Sequence, residues 1–128
     1  MRLYPLIIIG AALMLTSCGG STMDYYKAME PKADIKAYFN GPIKAWGIVQ
    51  DWRGRVVSRF DVTMHGSWEG DVGTLKEQFT YYDGKTQERT WTITKRSDGT
   101  YEGTASDILD RAEGKTGGNA VNWKYRMD

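Results

Sequence analysis

Three turns of the same form punctuate the chain after residue 43. Their sequences are WRG at 52–54, YDG at 82–84 and SDG at 97–99, each with glycine last. A three-residue hairpin loop needs a left-handed residue at that position, and glycine adopts this conformation without steric cost. The segments between the turns alternate apolar and polar residues and are rich in Val, Ile, Thr, Trp and Tyr, as half-buried strands are. The repeated turn therefore predicts an antiparallel meander.

The turns and the alternation together predict an all-β, antiparallel up-and-down sheet, although six strands form neither a closed barrel nor an obvious sandwich. Residues 34–40, DIKAYFN, precede the sheet and form either a short helix capped by Asp34 or a first strand. Residues 110–120, DRAEGKTGGNA, are predicted to form a long loop, which either lines a barrel mouth or simply connects two strands. The predicted strands lie near 43–51, 55–65, 73–81, 85–96, 100–108 and 119–127.

A three-residue loop also fixes which residues face each other across each hairpin, and the resulting face can be compared with the apolar pattern. With this register, large side chains oppose small ones on one side of the sheet, as a tightly packed core requires. The predicted pairs are Trp46 with Phe60, Ile48 with Ser58, Leu75 with Trp91, Phe79 with Gln87, Trp91 with Ala105, Ile93 with Gly103 and Lys95 with Tyr101.

The same register places Glu77 directly opposite Arg89 on the apolar side of the middle hairpin. A buried pair of opposite charges is costly to desolvate and is seldom kept for stability alone. Two roles remain open, an interior ion pair that fixes register or a polar contact for a ligand head group, while a different register would place the pair in solvent. The predicted interior, which is also the candidate ligand-binding surface, comprises Trp46, Phe60, Glu77, Phe79, Arg89, Trp91 and Trp123.

An apolar leader precedes the predicted strands. The run from Leu3 to Leu15 is shorter than the roughly 20 residues of a membrane-spanning helix and suits the apolar region of a secretory signal. It ends in Leu15-Thr16-Ser17-Cys18, which resembles a bacterial lipobox and contains the only cysteine of the chain. The resemblance implies that Cys18 becomes the acylated N-terminus and carries lipid such as palmitate. The alternative is an ordinary signal peptide with an incidental thiol.

These features divide the chain into a signal peptide at 1–17, a lipidated cysteine with a flexible tether at 18–33, and a β-barrel domain at 34–128. Two or three acyl chains give stable membrane attachment, so membrane lipid is an expected partner. Gly19 follows the cysteine in place of Asp. By similarity to enterobacterial lipoproteins, this favours the outer membrane, with the domain facing the periplasm.

Charge and residue counts argue against several other classes of protein. Without Arg2 the chain carries 16 basic and 16 acidic side chains, which argues against nucleic-acid binding because that function needs a basic surface. His65 is the only histidine, so no His/Cys metal site is expected. Gly114-Lys115-Thr116 lacks the upstream glycine of a phosphate loop, and no serine stands in a nucleophile elbow. We predict no cofactor and no enzyme activity. A hydrolase with a pair of catalytic carboxylates ranks third, after the two non-enzymatic functions described below.

Several motifs after the tether resemble an uncharacterised family of bacterial lipoproteins known as a domain of unknown function. The resemblance implies a lipid-anchored envelope protein with a lipocalin-like β-barrel and no established reaction. Longer members continue with closing strands, so we expect the barrel to be incomplete at Asp128. The motifs are Phe39-x-Gly41, Ala45-Trp46-Gly47, Asp51-x-x-Gly54, Glu77-x-Phe79, Asp83-Gly84, Arg89-x-Trp91 and Gly118-Asn119-Ala120.

Two functions from different classes are consistent with this sequence. In the first, an aromatic-lined barrel binds a small amphipathic molecule, such as a lipid or fatty acid. In the second, a solidly packed barrel serves as a structural or interaction module for an envelope protein partner. The interior volume distinguishes them, because Gly47 and Gly103 leave space whereas Trp91 and Trp123 fill it.

Overall fold

The computed structural model describes residues 23–128, so the predicted signal peptide and Cys18 lie outside the described residues. Seven antiparallel strands pair in chain order to form one sheet, which curls into a half-barrel and confirms the all-β, up-and-down class. No helix in the described part is long and apolar enough to cross a membrane. The elements are a 3-10 turn (Met23–Tyr26), α1 (Ile35–Tyr38), β1 (Gly41–Gln50), β2 (Val56–Glu69), β3 (Val72–Tyr81), β4 (Thr86–Lys95), β5 (Tyr101–Thr104), β6 (Ile108–Gly117) and β7 (Ala120–Met127).

All three predicted turns form as three-residue loops. Gly54, Gly84 and Gly99 have φ angles of 78°, 90° and 84°, which is the left-handed conformation that favours glycine. Asp83 and Asp98 each accept a hydrogen bond from the backbone N–H two residues further on. These aspartates therefore shape their turns locally.

The predicted register is confirmed in the middle hairpin and in the last one. Glu77 faces Arg89 across β3 and β4, and Ile93 faces Gly103 across β4 and β5. The pair predicted for Ala105 falls outside the ladder, because β5 ends one residue earlier. The other confirmed pairs are Leu75 with Trp91, Phe79 with Gln87 and Lys95 with Tyr101.

The first hairpin departs from the prediction because it contains a β-bulge. Its turn is as predicted, and Gln50 pairs with Val56. The next pair is Val49 with Ser58, so Val57 is an extra residue on β2. A bulge of this kind shifts the register by one residue and bends the strand.

The shift moves Trp46 to the outside of the half-barrel. Trp46 pairs with Asp61 and is 66% exposed, so the prediction that it lies in the interior is wrong. Ile48 is exposed with it, because a one-residue slip moves every side chain of a strand to the opposite face. Gly47 takes the inward position instead, and a Cβ atom there would lie 2.2 Å from the ring of Phe60.

The segment predicted as a long loop contains most of β6, so that prediction is also wrong. Its sequence, ILDRAEGKTG, has few β-branched or aromatic residues and gives little strand signal. After Ile108 at its start, the buried positions of the strand are occupied by the small residues Ala112 and Gly114. The ring of Trp123 from β7 packs against Gly103 and Gly114, where an added Cβ would lie 2.4 Å from a ring atom. An aromatic side chain of the neighbouring strand thus supplies the volume that β6 lacks.

Helix α1 covers part of the concave side and confirms the helical alternative for residues 34–40. The side chain of Asp34 caps it, and Ile35 is 2% exposed. The Trp68 indole N–H donates to the Phe39 carbonyl at 2.9 Å. A Cβ at Gly66 would lie 1.8 Å from that same oxygen, so the chain crosses directly over β2. The buried core comprises Ile35, Leu75, Trp91, Ile93, Tyr101, Ile108 and Ala112.

The start of the described chain lies against the turn between β6 and β7. The backbone N–H of Ala33 donates to the Gly118 carbonyl at 2.7 Å, and a Cβ at Gly118 would lie 1.6 Å from the Tyr26 carbonyl oxygen. Residues 23–33 therefore reach the half-barrel at the end that also holds α1.

Gly103→Ala is expected to lower the free energy of unfolding by about 1–3 kcal/mol, because the new methyl group must displace the Trp123 ring. Urea denaturation followed by tryptophan fluorescence measures this change. Thr104→Ala is the matched control on the same strand, where the side chain is exposed, and it is expected to change stability by less than about 0.5 kcal/mol. Equal midpoints for the two variants would contradict the packing described for Trp123.

Candidate functional site

Arg89 is the centre of a polar network on the concave face. Its side chain is 6% exposed. The guanidinium donates from Nε and Nη2 to the carboxylate of Asp107 at 2.9–3.0 Å, and Nη1 lies 3.8 Å from Oε2 of Glu77. The prediction that Glu77 and Arg89 share the apolar side is therefore confirmed. Asp107 makes the shorter and bidentate contact, which is the stronger geometry.

Aromatic rings surround the same guanidinium. The Arg89 Cζ atom lies 5.5, 5.7 and 5.8 Å from the ring centroids of Phe79, Trp91 and Tyr125, respectively. Cations at this distance are attracted by the ring faces. The rings also exclude water, so the charge depends on its two carboxylate partners.

Neutral side chains extend the network along β4. Gln87 donates to Asp107 at 3.1 Å, and the Tyr81 hydroxyl donates to Gln87 at 3.1 Å. At the other end the Trp91 indole N–H donates to Oε2 of Glu77 at 3.2 Å. Among residues 23–128 no fully buried side-chain nitrogen or oxygen lacks a hydrogen-bond partner, as expected of a buried polar cluster.

Sequence reasoning did not identify Asp107 as a partner of Arg89. The sequence pattern gave Asp107 no role, and the structure places it in the turn between β5 and β6. One signal was present in the sequence, since a guanidinium has five N–H donors and a single carboxylate opposite it cannot satisfy them. A second acceptor near Arg89 was therefore to be expected, although the sequence could not say which aspartate supplies it.

The two carboxylates of the network have opposite pKa shifts. Burial raises the pKa of Glu77, against the opposing effects of the Arg89 charge and the Trp91 hydrogen bond. The hydrogen bond from Arg89 is the main reason that the pKa of Asp107 lies below its usual value, although partial burial opposes it. Asp107 is thus the committed counter-ion of Arg89, and Glu77 is a carboxylate whose charge the fold destabilises.

An apolar cavity of about 160 Å³ adjoins Glu77, and we call it the Glu77 cavity. Glu77 is the single ionisable residue in its lining. Apolar walls with one or two convergent polar groups are typical of small-molecule sites. The lining residues are Ile35, Phe39, Leu75, Glu77, Trp91, Ile93, Val121 and Trp123.

A larger groove of about 680 Å³, which we call the α1 groove, runs between residues 31–39 and the start of β7. It shares Ile35, Phe39 and Val121 with the Glu77 cavity, so the two spaces adjoin. Lys32 and Asp34 are the charged residues in its lining. The groove lies at the end of the half-barrel where the described chain begins.

The structure brings together some of the predicted site residues and separates others. Glu77, Trp91 and Trp123 line the Glu77 cavity, and Arg89 lies behind Glu77. Phe79 contacts the Arg89 guanidinium and also pairs with Phe60, with ring centroids 5.2 Å apart. Trp46 lies outside. Sequence reasoning missed the lining residues Ile35, Phe39, Leu75 and Val121 as parts of a site.

The described residues hold no group of three or more His, Cys, Asp or Glu side chains that could bind a metal ion. His65 is exposed on the outer face and pairs with Lys76 across the sheet. These observations leave the Arg89 network and the adjoining cavity as the candidate site.

The fold and the site together define a curled β-meander with a small apolar cavity and one buried acid. The family model described as "Protein of unknown function (DUF3833)" matches residues 12–128, and the chain belongs to this family. No curated protein and no solved structure matches the chain.

Asp107→Asn and Glu77→Gln are expected to change the pH dependence of stability in opposite directions. The pKa of Asp107 is below its usual 3.8, so its stabilisation is present above that value and is lost as pH falls through the lower, folded pKa. Asp107→Asn removes this contribution. Because Asp107 is one-third exposed, we expect a loss of about 1–3 kcal/mol at neutral pH, less than for a fully buried pair.

The pKa of Glu77 is above its usual 4.5, so the folded chain loses stability as pH rises from that value through the folded pKa. Glu77→Gln abolishes this loss, so the free energy of unfolding of the variant rises relative to that of the parent as pH rises. Urea unfolding at several pH values between about 2 and 8 measures both effects. Glu88→Gln, at an exposed position, is the control. Parallel curves for all four proteins would refute the assignment.

Proposed function

We propose that this protein is a lipid-anchored lipoprotein of the bacterial envelope that binds a small amphipathic molecule in the Glu77 cavity. One observation carries the binding function, namely an apolar cavity with a single carboxylate in its wall. Apolar walls accept a hydrocarbon chain, and a lone polar group fixes its orientation. A half-barrel around such a cavity also supports the lipocalin-like interpretation.

Close packing of Trp123 against the sheet supports a cavity rather than a filled interior. The Trp123 ring lies against Gly103 and Gly114, and it meets Trp91 edge to face, with centroids 5.5 Å apart. Side chains at the two glycine positions would push this ring across the half-barrel. The glycines therefore keep space open in front of Leu75 and Ile93.

The position of the N-terminus supports a membrane source for the ligand. Four residues lie between Cys18 and Met23, and the five residue steps that join them span at most about 18 Å when the chain is extended. The described chain begins at the end of the half-barrel that holds the α1 groove. A lipidated Cys18 would hold that groove close to the bilayer, and Gly19 favours the outer membrane with the domain in the periplasm. The family match begins upstream of Cys18.

A second candidate function, an interaction module for an envelope protein, is favoured by a different surface. Large apolar side chains are exposed at the end of the sheet away from the α1 groove, where the β1–β2 and β3–β4 turns lie. Exposed apolar patches often mark protein interfaces. The residues are Trp46, Ile48, Trp52, Val57 and Tyr82.

Cys18→Ser is expected to release the protein from the membrane fraction into the soluble periplasm, because no acyl chain can then be attached. Fractionation, together with metabolic labelling by a palmitate analogue, measures the release. Ser17→Ala keeps a small residue before the cysteine and is the control. Membrane-bound, labelled Cys18→Ser protein would refute the anchor.

Val121→Trp is expected to abolish ligand binding, because the indole fills the space that the cavity and the groove share. Native mass spectrometry of the protein, taken from the periplasm as the Cys18→Ser variant, would show an added mass in the parent and none in Val121→Trp. Val57→Trp is the matched control, since Val57 is 61% exposed on the outer face. A bare mass in the parent would overturn ligand binding and leave the interaction module as the better candidate.

A further inference from the structure

Lipid-like ligands differ in the charge of their polar group, and the surroundings of the Glu77 cavity favour one kind. We infer that the ligand presents an uncharged or positively charged hydrogen-bond donor, such as a hydroxyl or an amine, to Oε1 of Glu77. Carboxylate ligands such as fatty acids are discriminated against. This inference rests on the proposed binding function and specifies the chemistry of its ligand.

The charge next to the cavity is negative. Two carboxylates, Glu77 and Asp107, flank the single guanidinium of Arg89 at 3.8 and 2.9 Å. When both acids are ionised, the three groups sum to one negative charge, and Glu77 alone reaches the cavity wall. A second anion placed there would meet a like charge in a poorly solvated space, where Coulomb interactions are strong.

Arg89 cannot serve as the counter-ion of a bound carboxylate. Its Nε and Nη2 atoms are occupied by Asp107, and Nη1 faces Glu77. Phe79, Trp91 and Tyr125 surround the guanidinium, which is not part of the cavity lining. An anionic ligand would have to break the bidentate contact to Asp107 to reach it.

Glu77 has one oxygen available. Within residues 23–128, the contacts of its carboxylate with Trp91 and Arg89 are both made by Oε2. Oε1 accepts no hydrogen bond from these residues, and because no fully buried side-chain oxygen among them lacks a partner, Oε1 retains some exposure. Glu77 itself lines the cavity. A carboxylate oxygen accepts up to two hydrogen bonds, and a purely apolar ligand would strip water from Oε1 without replacing it. A donor group at the buried end of the ligand removes this penalty.

The mouth of the α1 groove provides no strong site for an anion either. Lys32 is the basic residue of its lining, and its ammonium already donates to the Lys27 carbonyl at 2.7 Å and lies 3.6 Å from Glu30. Asp34 is the other charged residue there. Charge therefore disfavours an anionic head at either end of the combined space.

Photoreactive probes test this inference on the full-length protein in its own membranes. Three probes share one twelve-carbon chain with a diazirine and end in a hydroxyl, an amine or a carboxylate. They are compared at equal membrane-bound amounts, determined by extraction, and intact mass spectrometry gives the labelled fraction. We expect the hydroxyl and amine probes to label the protein roughly tenfold more than the carboxylate probe. Peptide mapping should place the label on a segment that lines the cavity, namely residues 35–39, β3, β4 or β7.

Glu77→Gln removes the charge and keeps the shape of the side chain. We expect it to narrow the difference between the carboxylate probe and the other two to within about threefold. Glu88→Gln, at an exposed position, is the matched control and should keep the tenfold preference. Circular dichroism of both variants verifies folding, and the comparison of probes on the unaltered protein does not depend on either variant.

The outcomes separate the two proposals. If no probe labels any segment that lines the cavity in the unaltered protein, the proposed binding function fails. If the carboxylate probe labels these segments at least as strongly as the hydroxyl and amine probes do, the binding function stands and the inferred ligand chemistry is overturned. Preference for the hydroxyl and amine probes that persists in Glu77→Gln would also overturn the role given to Glu77.

Discussion

The burial of one guanidinium constrains most of this structure. The Arg89 side chain is removed from water on the inward face of a strand whose other inward residues are largely apolar. Its charge therefore requires carboxylates at fixed positions. Glu77 on β3 supplies one, and Asp107 between β5 and β6 supplies the other. The Arg89 charge thereby links β3, β4 and the turn between β5 and β6. A slip of β3 against β4 would separate Arg89 from Glu77. A buried ion pair is weak support for stability but a stringent constraint on register.

The same constraint produces the candidate site. Because Asp107 holds Arg89 with two hydrogen bonds, Glu77 keeps only a longer contact with the guanidinium and one bond from the Trp91 indole. Glu77 lines an apolar cavity, and its burial disfavours ionisation. Perturbed carboxylates in cavities are typical of functional sites. The chemistry of the site thus follows from the unequal contacts of Arg89, which binds Asp107 closely and Glu77 only at a longer distance.

Glycines opposite large aromatic residues give the half-barrel its curvature and its space. Phe60 lies against Gly47, Trp68 against Gly73, and Trp123 against two glycines on adjacent strands. In each case a ring covers the backbone of a neighbouring strand instead of projecting into the interior. The sheet consequently buries its aromatics close to the backbone, and α1 has room to cover the concave side. The exposed apolar end of the sheet, around Trp46, lies outside this arrangement.

The sequence alone determined the elements that depend on neighbouring residues. Turn glycines, alternation and loop length predicted the meander, and they predicted the Glu77–Arg89 pair because a three-residue loop fixes local register. Tertiary structure decided what depends on distant residues. The bulge at Val57 turned Trp46 outward, and β6 formed because the backbone of its partners and the Trp123 ring compensate for weak strand residues. Asp107 reached Arg89 across 18 residues. Hydrogen-bonding groups and apolar rings pack against residues that are distant in the sequence. The spacing of residues along the chain does not show which distant residues will be close in the folded structure.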